Sequence, residues 1–296
     1  MEQTQPDFAL EDLGQRPDRR KLTVDVGNTF IRFGLFAEDS AAAQECPLAT
    51  CEITTPARIT ADEARMRLAQ VMGALAADAG MPGTLAPTAA VLSCVVPALE
   101  RPWKAALSRT CTGRVLTVGP GLKTGMPVHY DDPAEIGPDR IADAVAARAV
   151  YGSPCIVIDL GTTTNIEVID ARGTFVGGVI APGLALGARS LSAAAARLPQ
   201  VEPSAPTHVI GRNTREAMRS GVVLGEVARI DGMLDMVLAE MRATKAAGEG
   251  SVPIVITGDD AEALAALVGH SLTVDDALTL RGLAELYHIN QKPRRA

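Results

Sequence analysis

Residues 22–36 read LTVDVGNTFIRFGLF, and residues 155–170 read CIVIDLGTTTNIEVID. Each stretch is a β-prone run that ends in an Asp-x-Gly turn, at Asp25 or at Asp159, and then resumes as a second β-prone run. The two aspartates are 134 residues apart. Repetition at this spacing predicts two duplicated α/β domains with a cleft between them.

The segments that follow each hairpin alternate between helical and strand patterns. Helical spacing of apolar residues predicts helices over residues 60–77 and 214–238. Short β-prone runs predict strands over residues 90–96, 114–118 and 253–257. This alternation is typical of an α/β fold.

The predicted domain limits follow from the position of the second hairpin. We expect an N-terminal domain over residues 21–150 and a C-terminal domain over residues 151–290. A disordered extension is expected over residues 1–20 and a frayed tail over residues 291–296.

The charge and the apolar content of the chain argue against some kinds of binding partner. The chain of 296 residues has a formal net charge of −7 and a pI near 5.2, which argues against a nucleic-acid partner or an anionic membrane partner. No apolar stretch near the start resembles a signal peptide, and none is long enough to span a bilayer. We therefore expect a cytoplasmic protein with a small-molecule partner.

The two Asp-x-Gly turns are suited to binding phosphate. Glycine lets backbone N–H groups approach phosphate oxygens, and Thr29 and Thr162 add hydroxyl donors. A carboxylate beside phosphate needs a cation to offset repulsion, so Asp25 and Asp159 predict bound Mg²⁺ or a monovalent ion. A single such turn is common without any function, but two copies at strand ends favour the functional interpretation.

A third candidate segment reads YDDPAEIGPDR over residues 130–140. Pro138 fits the first turn of a helix, which puts Asp139 and Arg140 at the helix start. An acid is ordinarily favoured there, and the helix dipole is expected to keep the pKa of Asp139 low. The dipole disfavours the adjacent Arg140, which suggests that this side chain holds a carboxylate or phosphate of a substrate.

These residues together resemble the type III pantothenate kinases of bacterial coenzyme A synthesis, which share a fold with acetate kinase, sugar kinases, heat-shock chaperone ATPases and actin. The resemblance runs from about residue 22 to residue 290. It is carried by DVGNT (25–29), SCVVP (93–97), GLKTGMP (121–127), YDDPAEIGPDR (130–140), DLGT (159–162), GGVIAPG (177–183), GRNT (211–214) and LTLRGL (278–283).

The resemblance implies two duplicated actin-like (ribonuclease H-like) domains, a homodimer, and a role for each matching residue. Asp139 would be the proton acceptor of the reaction, and Asp159 would hold K⁺ or NH₄⁺. The ATP phosphates and Mg²⁺ would lie against Asp25, Val26, Gly27, Asn28, Thr29 and Arg32, with Thr162 also contacting ATP. Pantothenate would contact Tyr130, Gly137, Pro138, Arg140 and Thr214.

Several positions differ from the family pattern on the nucleotide side. Phe30 and Ile31 stand where small or polar residues are common, and Thr163 and Asn165 replace the usual Ala and Thr. Asp259 stands where glycine is expected, and its carboxylate is placed to repel phosphate.

These changes leave two alternatives open. One is a catalytically lapsed relative that acts as a regulatory or transcription-accessory protein. The other is a related kinase of another hydroxy compound, such as a sugar. The retained charged residues Asp25, Asp139, Arg140 and Asp159 favour an active pantothenate kinase over both.

Overall fold

The first half of the chain forms a five-stranded mixed sheet. In the computed structural model, residues 19–37, 43, 45–81 and 86–291 are described. The strand order is β3-β2-β1-β4-β5. The strands are β1 (Arg20–Val26), β2 (Phe30–Ala37), β3 (Ala49–Thr54), β4 (Ala89–Cys94) and β5 (Arg114–Thr117). Strands β1, β2 and β3 are antiparallel neighbours, whereas β4 and β5 run parallel to β1.

The second half repeats this topology strand for strand. Its sheet has the order β10-β9-β6-β7-β8, and the β6–β7–β8 strands are antiparallel while β9 and β10 continue the sheet in parallel. The strands are β6 (Cys155–Leu160), β7 (Thr163–Ile169), β8 (Phe175–Pro182), β9 (Ile254–Gly258) and β10 (Thr273–Val274). The predicted duplication is therefore present in the connectivity of the two sheets.

Eight α-helices complete the described fold. They are α1 (Ala61–Asp78), α2 (Pro97–Thr110), α3 (Pro138–Tyr151), α4 (Leu184–Ala194), α5 (Thr214–Arg219), α6 (Gly225–Ala243), α7 (Ala261–Ala265) and α8 (Leu278–Ile289). Helix α1 begins as predicted, because Thr60 and Glu63 form a reciprocal capping box. The helix predicted over residues 214–238 is present and extends to Ala243, with a π-helical segment (Ser220–Leu224) between α5 and α6.

Helices α3 and α8 join the two halves. One hydrophobic core contains residues of β4 and β5 from the first sheet, β6 and β9 from the second, and both of these helices. The backbones of α3 and α8 approach so closely that a Cβ at Gly282 would overlap the carbonyl group of Ala142. Because α8 also packs on β1, the end of the chain returns to the first sheet and fixes the two halves against each other.

Two predictions concern residues at the ends of the chain. The expected extension over residues 1–20 falls almost wholly outside the described residues, of which the first is Arg19. The expected tail over residues 291–296 also lies outside them apart from Gln291. Among the helices of the described part, none is long and apolar enough to cross a membrane.

Candidate active site

The two Asp-x-Gly turns face each other across a small cleft between the sheets. Asp25 lies at the end of β1 and Asp159 lies at the matching point of β6. The hydroxyls of Thr29 and Thr162 are 2.9 Å apart and join the two turns directly. The cleft has a volume of about 70 Å³, and Asp139 from the start of α3 also lines it. The structure therefore brings together three acids that are far apart in sequence.

The first turn is held by its own backbone and by the strand beside it. The Gly27 N–H donates to the Phe30 carbonyl at 3.0 Å, and the Thr55 hydroxyl donates to the Gly27 carbonyl at 2.8 Å. Gly27, Asn28 and Thr29 line the cleft, and their binding of phosphate stays a prediction. Val26 differs from its neighbours in the turn, because its side chain lies in the hydrophobic core of the first sheet.

Burial and mutual repulsion raise the pKa values of the cleft carboxyls. Burial, followed by repulsion from Asp139, raises the pKa of Asp25 to about 6. Burial and repulsion from Asp139 and Asp25 raise the pKa of Asp159 to about 7, and Arg32 opposes this rise. Asp25 Oδ1 is buried and accepts no hydrogen bond from the described residues. These carboxyls fit a site where cations supply the missing positive charge.

Asp139 lies at the second position of α3, where the Arg140 N–H donates to its Oδ1 at 2.8 Å. The prediction of a low pKa is wrong, because burial raises the pKa of Asp139 and outweighs that hydrogen bond and the attraction of Arg140. Gly137 leaves room for this arrangement, since a Cβ there would overlap Asp139 Oδ1. The Gly137–Pro138 step therefore positions the Asp139 carboxylate in the cleft.

Arg140 is the centre of a buried cluster beside the cleft. Its Nε donates to Glu167 Oε1 at 3.0 Å, and its guanidinium lies 5.7 Å from the centre of the Phe175 ring. Tyr130 also packs against Phe175, with the ring centres 6.1 Å apart. Tyr130 and Arg140 are thus brought together as predicted, but the buried ion pair with Glu167 was not predicted.

A second acid on α3 lies one turn after Asp139. Asp143 is completely buried, and its carboxyl lies beside the Thr279 side chain of α8. Burial, followed by repulsion from Asp159 and Glu167, raises the pKa of Asp143 well above its usual value. Sequence reasoning missed Asp143 and Glu167. The available signal for Asp143 was a lone acid within the otherwise apolar run of α3.

Thr214 does not join this group of residues. It is exposed at the start of α5, whose N-cap Asn213 accepts a hydrogen bond from the Glu216 N–H at 3.0 Å. Thr214 is absent from the lining of the cleft in the described chain. Its predicted contact with pantothenate therefore stays a prediction.

Metal binding by protein groups alone is not supported. Among the described residues, no three His, Cys, Asp or Glu side chains are arranged to hold a metal ion. Mg²⁺ commonly uses one or two carboxylates together with waters and substrate phosphates. Asp25, with its unpartnered buried oxygen, fits that mode of binding.

A second cavity lies away from Asp25, Asp139 and Asp159. It has a volume of about 740 Å³ and lies between the β7–β8 hairpin and α6. Asp25, Asp139 and Asp159 do not line it, so we assign the chemistry to the smaller cleft.

Comparison with known proteins identifies a matching family. The family model of type III pantothenate kinase matches residues 21–236. The type III pantothenate kinase of Koribacter versatilis is 37% identical over 278 residues, covering 93% of this chain and 97% of that protein. A type III pantothenate kinase of Symbiobacterium thermophilum is 38% identical over 270 residues, covering 91% of this chain and 97% of that protein.

A solved structure shares the fold at low sequence identity. A Baf family transcriptional activator from Campylobacter jejuni superposes with a TM-score of 0.54 at 18% identity, covering 91% of this chain and 98% of that one. The predicted fold class, two duplicated actin-like domains with a cleft between them, is confirmed.

The raised carboxyl pKa values predict an unusual dependence of stability on pH. Unfolding lets Asp25 and Asp159 lose their protons near pH 4, whereas the folded protein retains them up to about pH 6 and 7. The folded state therefore binds more protons in this window, and the free energy of unfolding should fall as pH rises from 4 to 7. Urea unfolding of cation-depleted, nucleotide-free protein would measure this.

The variant Asp143→Asn should show a smaller decrease in the free energy of unfolding as pH rises, because a neutral amide replaces the buried acid. We expect the variant to exceed the wild type in stability by about 1–3 kcal/mol at pH 8 and by less at pH 5. Asp62→Asn, at an exposed helix start, is the control. A wild-type stability that rises steadily from pH 4 to pH 7 would contradict the burial of protonated carboxyls.

Proposed function

Since the chain belongs to the type III pantothenate kinases, which use ATP to phosphorylate pantothenate in the first step of coenzyme A biosynthesis, we propose that the interdomain cleft is its active site. The observation that carries this proposal is the convergence of Asp25, Asp139 and Asp159 on one cleft. A phosphoryl-transfer site needs cations beside phosphate and an acceptor for the hydroxyl proton. Asp25 and Asp159 can bind the cations, and Asp139 can accept the proton.

Asp139 accepts the proton of the pantothenate hydroxyl. Its raised pKa makes it a better proton acceptor than an exposed aspartate, while the adjacent Arg140 and its N–H favour the ionised form. The hydroxyl is directed at Asp139 while the phosphoryl group is transferred, and its proton passes to the carboxylate late in the step. The place of Asp139 at the rigid start of α3 fixes this direction.

The two turns hold the nucleotide. Backbone N–H groups and hydroxyls of Gly27, Asn28, Thr29 and Thr162 bind phosphate oxygens, and Asp25 holds Mg²⁺. Mg²⁺ held there would offset the negative charge of the phosphates, including the charge that develops on the leaving ADP. Arg32 contributes a guanidinium from the strand that faces Asp25 in the sheet register.

Pantothenate lies on the Arg140 side of the cleft. Arg140 gives its Nε to Glu167, so its remaining guanidinium donors are the ones that bind the pantothenate carboxylate. Tyr130, Gly137 and Pro138 lie on the same side. The resemblance also assigns a pantothenate contact to Thr214, which lies outside the lining of the cleft at the start of α5. Because Arg140 is buried and paired, its position is set before the substrate arrives.

The proposed role of Asp139 predicts a large loss of turnover in Asp139→Asn. The amide still orients a hydroxyl but cannot accept its proton, so formation of 4′-phosphopantothenate from ATP and pantothenate should fall by about 10²–10⁴-fold. Product would be measured at millimolar ATP with Mg²⁺ and K⁺ present. A sugar in place of pantothenate should give little product.

Asp62→Asn is the matched control, because Asp62 holds the same second position of a helix, on the exposed face of α1. Its turnover should equal that of the wild type. Equal turnover in folded Asp139→Asn would contradict the role of Asp139. Folded wild-type protein that makes no product even at saturating ATP would instead favour a lapsed regulatory relative.

We also propose that Asp159 holds a monovalent cation. Its carboxyl is crowded by Asp25 and Asp139, and a K⁺ or NH₄⁺ ion there would lower the cost of ionising it beside phosphate. Exchanging Na⁺ for K⁺ or NH₄⁺ at constant ionic strength should raise the rate several-fold. Asp159→Asn should lose this preference. Identical wild-type rates in all three salts would argue against the site.

The resemblance further implies a homodimer in the cytoplasm. Apolar side chains of the C-terminal half, among them Ile180, Ile210 and Met236, are exposed in the single chain. This exposure supports a dimer interface on that half. Ile230 and Leu234 of α6 do not contribute, because they belong to the hydrophobic core. Sedimentation equilibrium should give twice the chain mass of 30.9 kDa. A mass of one chain at micromolar concentration would contradict the dimer.

A further inference from the structure

Arg32 binds two acids that come from different halves of the molecule. Its Nε donates to Glu52 Oε2 at 2.9 Å, and Glu52 lies directly opposite Arg32 on the neighbouring strand β3. Its Nη2 forms an ion pair with Asp259 Oδ1, which follows β9 in the second sheet. The Arg32–Asp259 pair therefore crosses the cleft, whereas the Arg32–Glu52 pair lies within one sheet.

Asp259 is held firmly in place by the second sheet. Gly258 has a φ of +92°, and a Cβ there would overlap the Leu160 carbonyl, so the turn after β9 requires glycine. The Asp259 N–H donates to the same Leu160 carbonyl at 2.5 Å. The register aligns Thr257 with Asp159. The Asp259 carboxylate is thus fixed at the edge of the cleft.

Two contacts span the cleft between its two sides. Its volume of about 70 Å³ is far below the roughly 300–1,000 Å³ of a typical ligand pocket. The Thr29–Thr162 hydrogen bond and the Arg32–Asp259 ion pair both span it. A cavity of about 620 Å³ adjoins the pair and is lined by Arg32, Glu52 and Asp259. Phosphates that enter from this cavity meet Arg32 while it is bound to Asp259.

We propose that Asp259 competes with the nucleotide phosphates for Arg32, so that the Arg32–Asp259 ion pair is a latch across the cleft that sets the affinity for ATP. The inference rests on the proposed function only in placing nucleotide phosphate in this cleft. A guanidinium binds carboxylate and phosphate with the same planar set of donors. Binding of the triphosphate therefore displaces Asp259 from Arg32, while Glu52 stays paired with Arg32 in both states.

The latch predicts that Asp259→Asn binds nucleotide more tightly. The dissociation constant of the Mg²⁺ complex of the non-hydrolysable analogue AMP-PNP should fall about three- to fivefold, the range expected for loss of a partly exposed ion pair. Titration calorimetry measures this constant without any turnover. The KM for ATP should fall similarly, with kcat changed less than twofold.

Glu52→Gln is the matched control, because it removes the other acid on Arg32 without breaking a contact across the cleft. Its dissociation constant should stay within twofold of the wild-type value. A gain in Glu52→Gln as large as in Asp259→Asn would overturn the latch. So would a weaker affinity in Asp259→Asn, which is the outcome expected if Asp259 helped to hold Mg²⁺.

A double-variant comparison separates the latch from simple repulsion of phosphate by Asp259. In an Arg32→Gln background the latch no longer exists, so Asp259→Asn should then give no gain in AMP-PNP affinity. An equal gain with and without Arg32 would overturn the proposal. Failure of the proposed function is seen separately, as wild-type protein that binds AMP-PNP but forms no phosphorylated pantothenate.

Discussion

The crowding of carboxyl groups where β1, β6 and α3 meet is the constraint on which the rest of the site depends. Asp25, Asp143 and Glu167 are buried, while Asp139 and Asp159 face the cleft beside them. Burying an ionised carboxylate costs several kcal/mol unless a partner offsets it. The positive charge of Arg140 offsets the negative charge of Glu167, and Arg32 lies near Asp25 and Asp159. Since the positive charge of the chain is insufficient there, cations and protons must supply the remainder, which suits a site for Mg²⁺ and polyphosphate.

Duplication of one β-hairpin places the acids that create this crowding. In the strand register, Asp25 lies opposite Arg32 in the first hairpin, and Asp159 lies opposite Asn165 in the second. The two halves thus present equivalent positions with different side chains, a guanidinium on one side and an amide on the other. Helix α3 adds Asp139 at its start, and its packing on α8 fixes that start against both sheets. Catalytic geometry and domain packing therefore depend on the same helices.

Much of the site could be predicted from the sequence because its main parts are local motifs. Asp25 and Asp159 stand at strand ends in repeated turns, and Gly137 to Arg140 form a recognisable helix start. The remaining features depend on distant contacts. Nothing near Glu167 in the sequence indicates Arg140, and no local pattern joins Arg32 to Asp259. The pKa of Asp139 was predicted in the wrong direction because a helix dipole can be read from sequence, whereas burial by other segments cannot.

Titration of the aspartate carboxyl carbons by ¹³C NMR tests the central claim most directly. The claim is that Asp25 and Asp159 keep their protons in the cleft until cations and nucleotide replace them. In cation-depleted protein, aspartate signals should titrate at pH values of about 6 and 7, and Asp25→Asn and Asp159→Asn should each remove one of these titrations. Addition of Mg²⁺, K⁺ and AMP-PNP should move both titrations to lower pH. If every aspartate titrated near the ordinary value of about 4 under both conditions, the account would be contradicted.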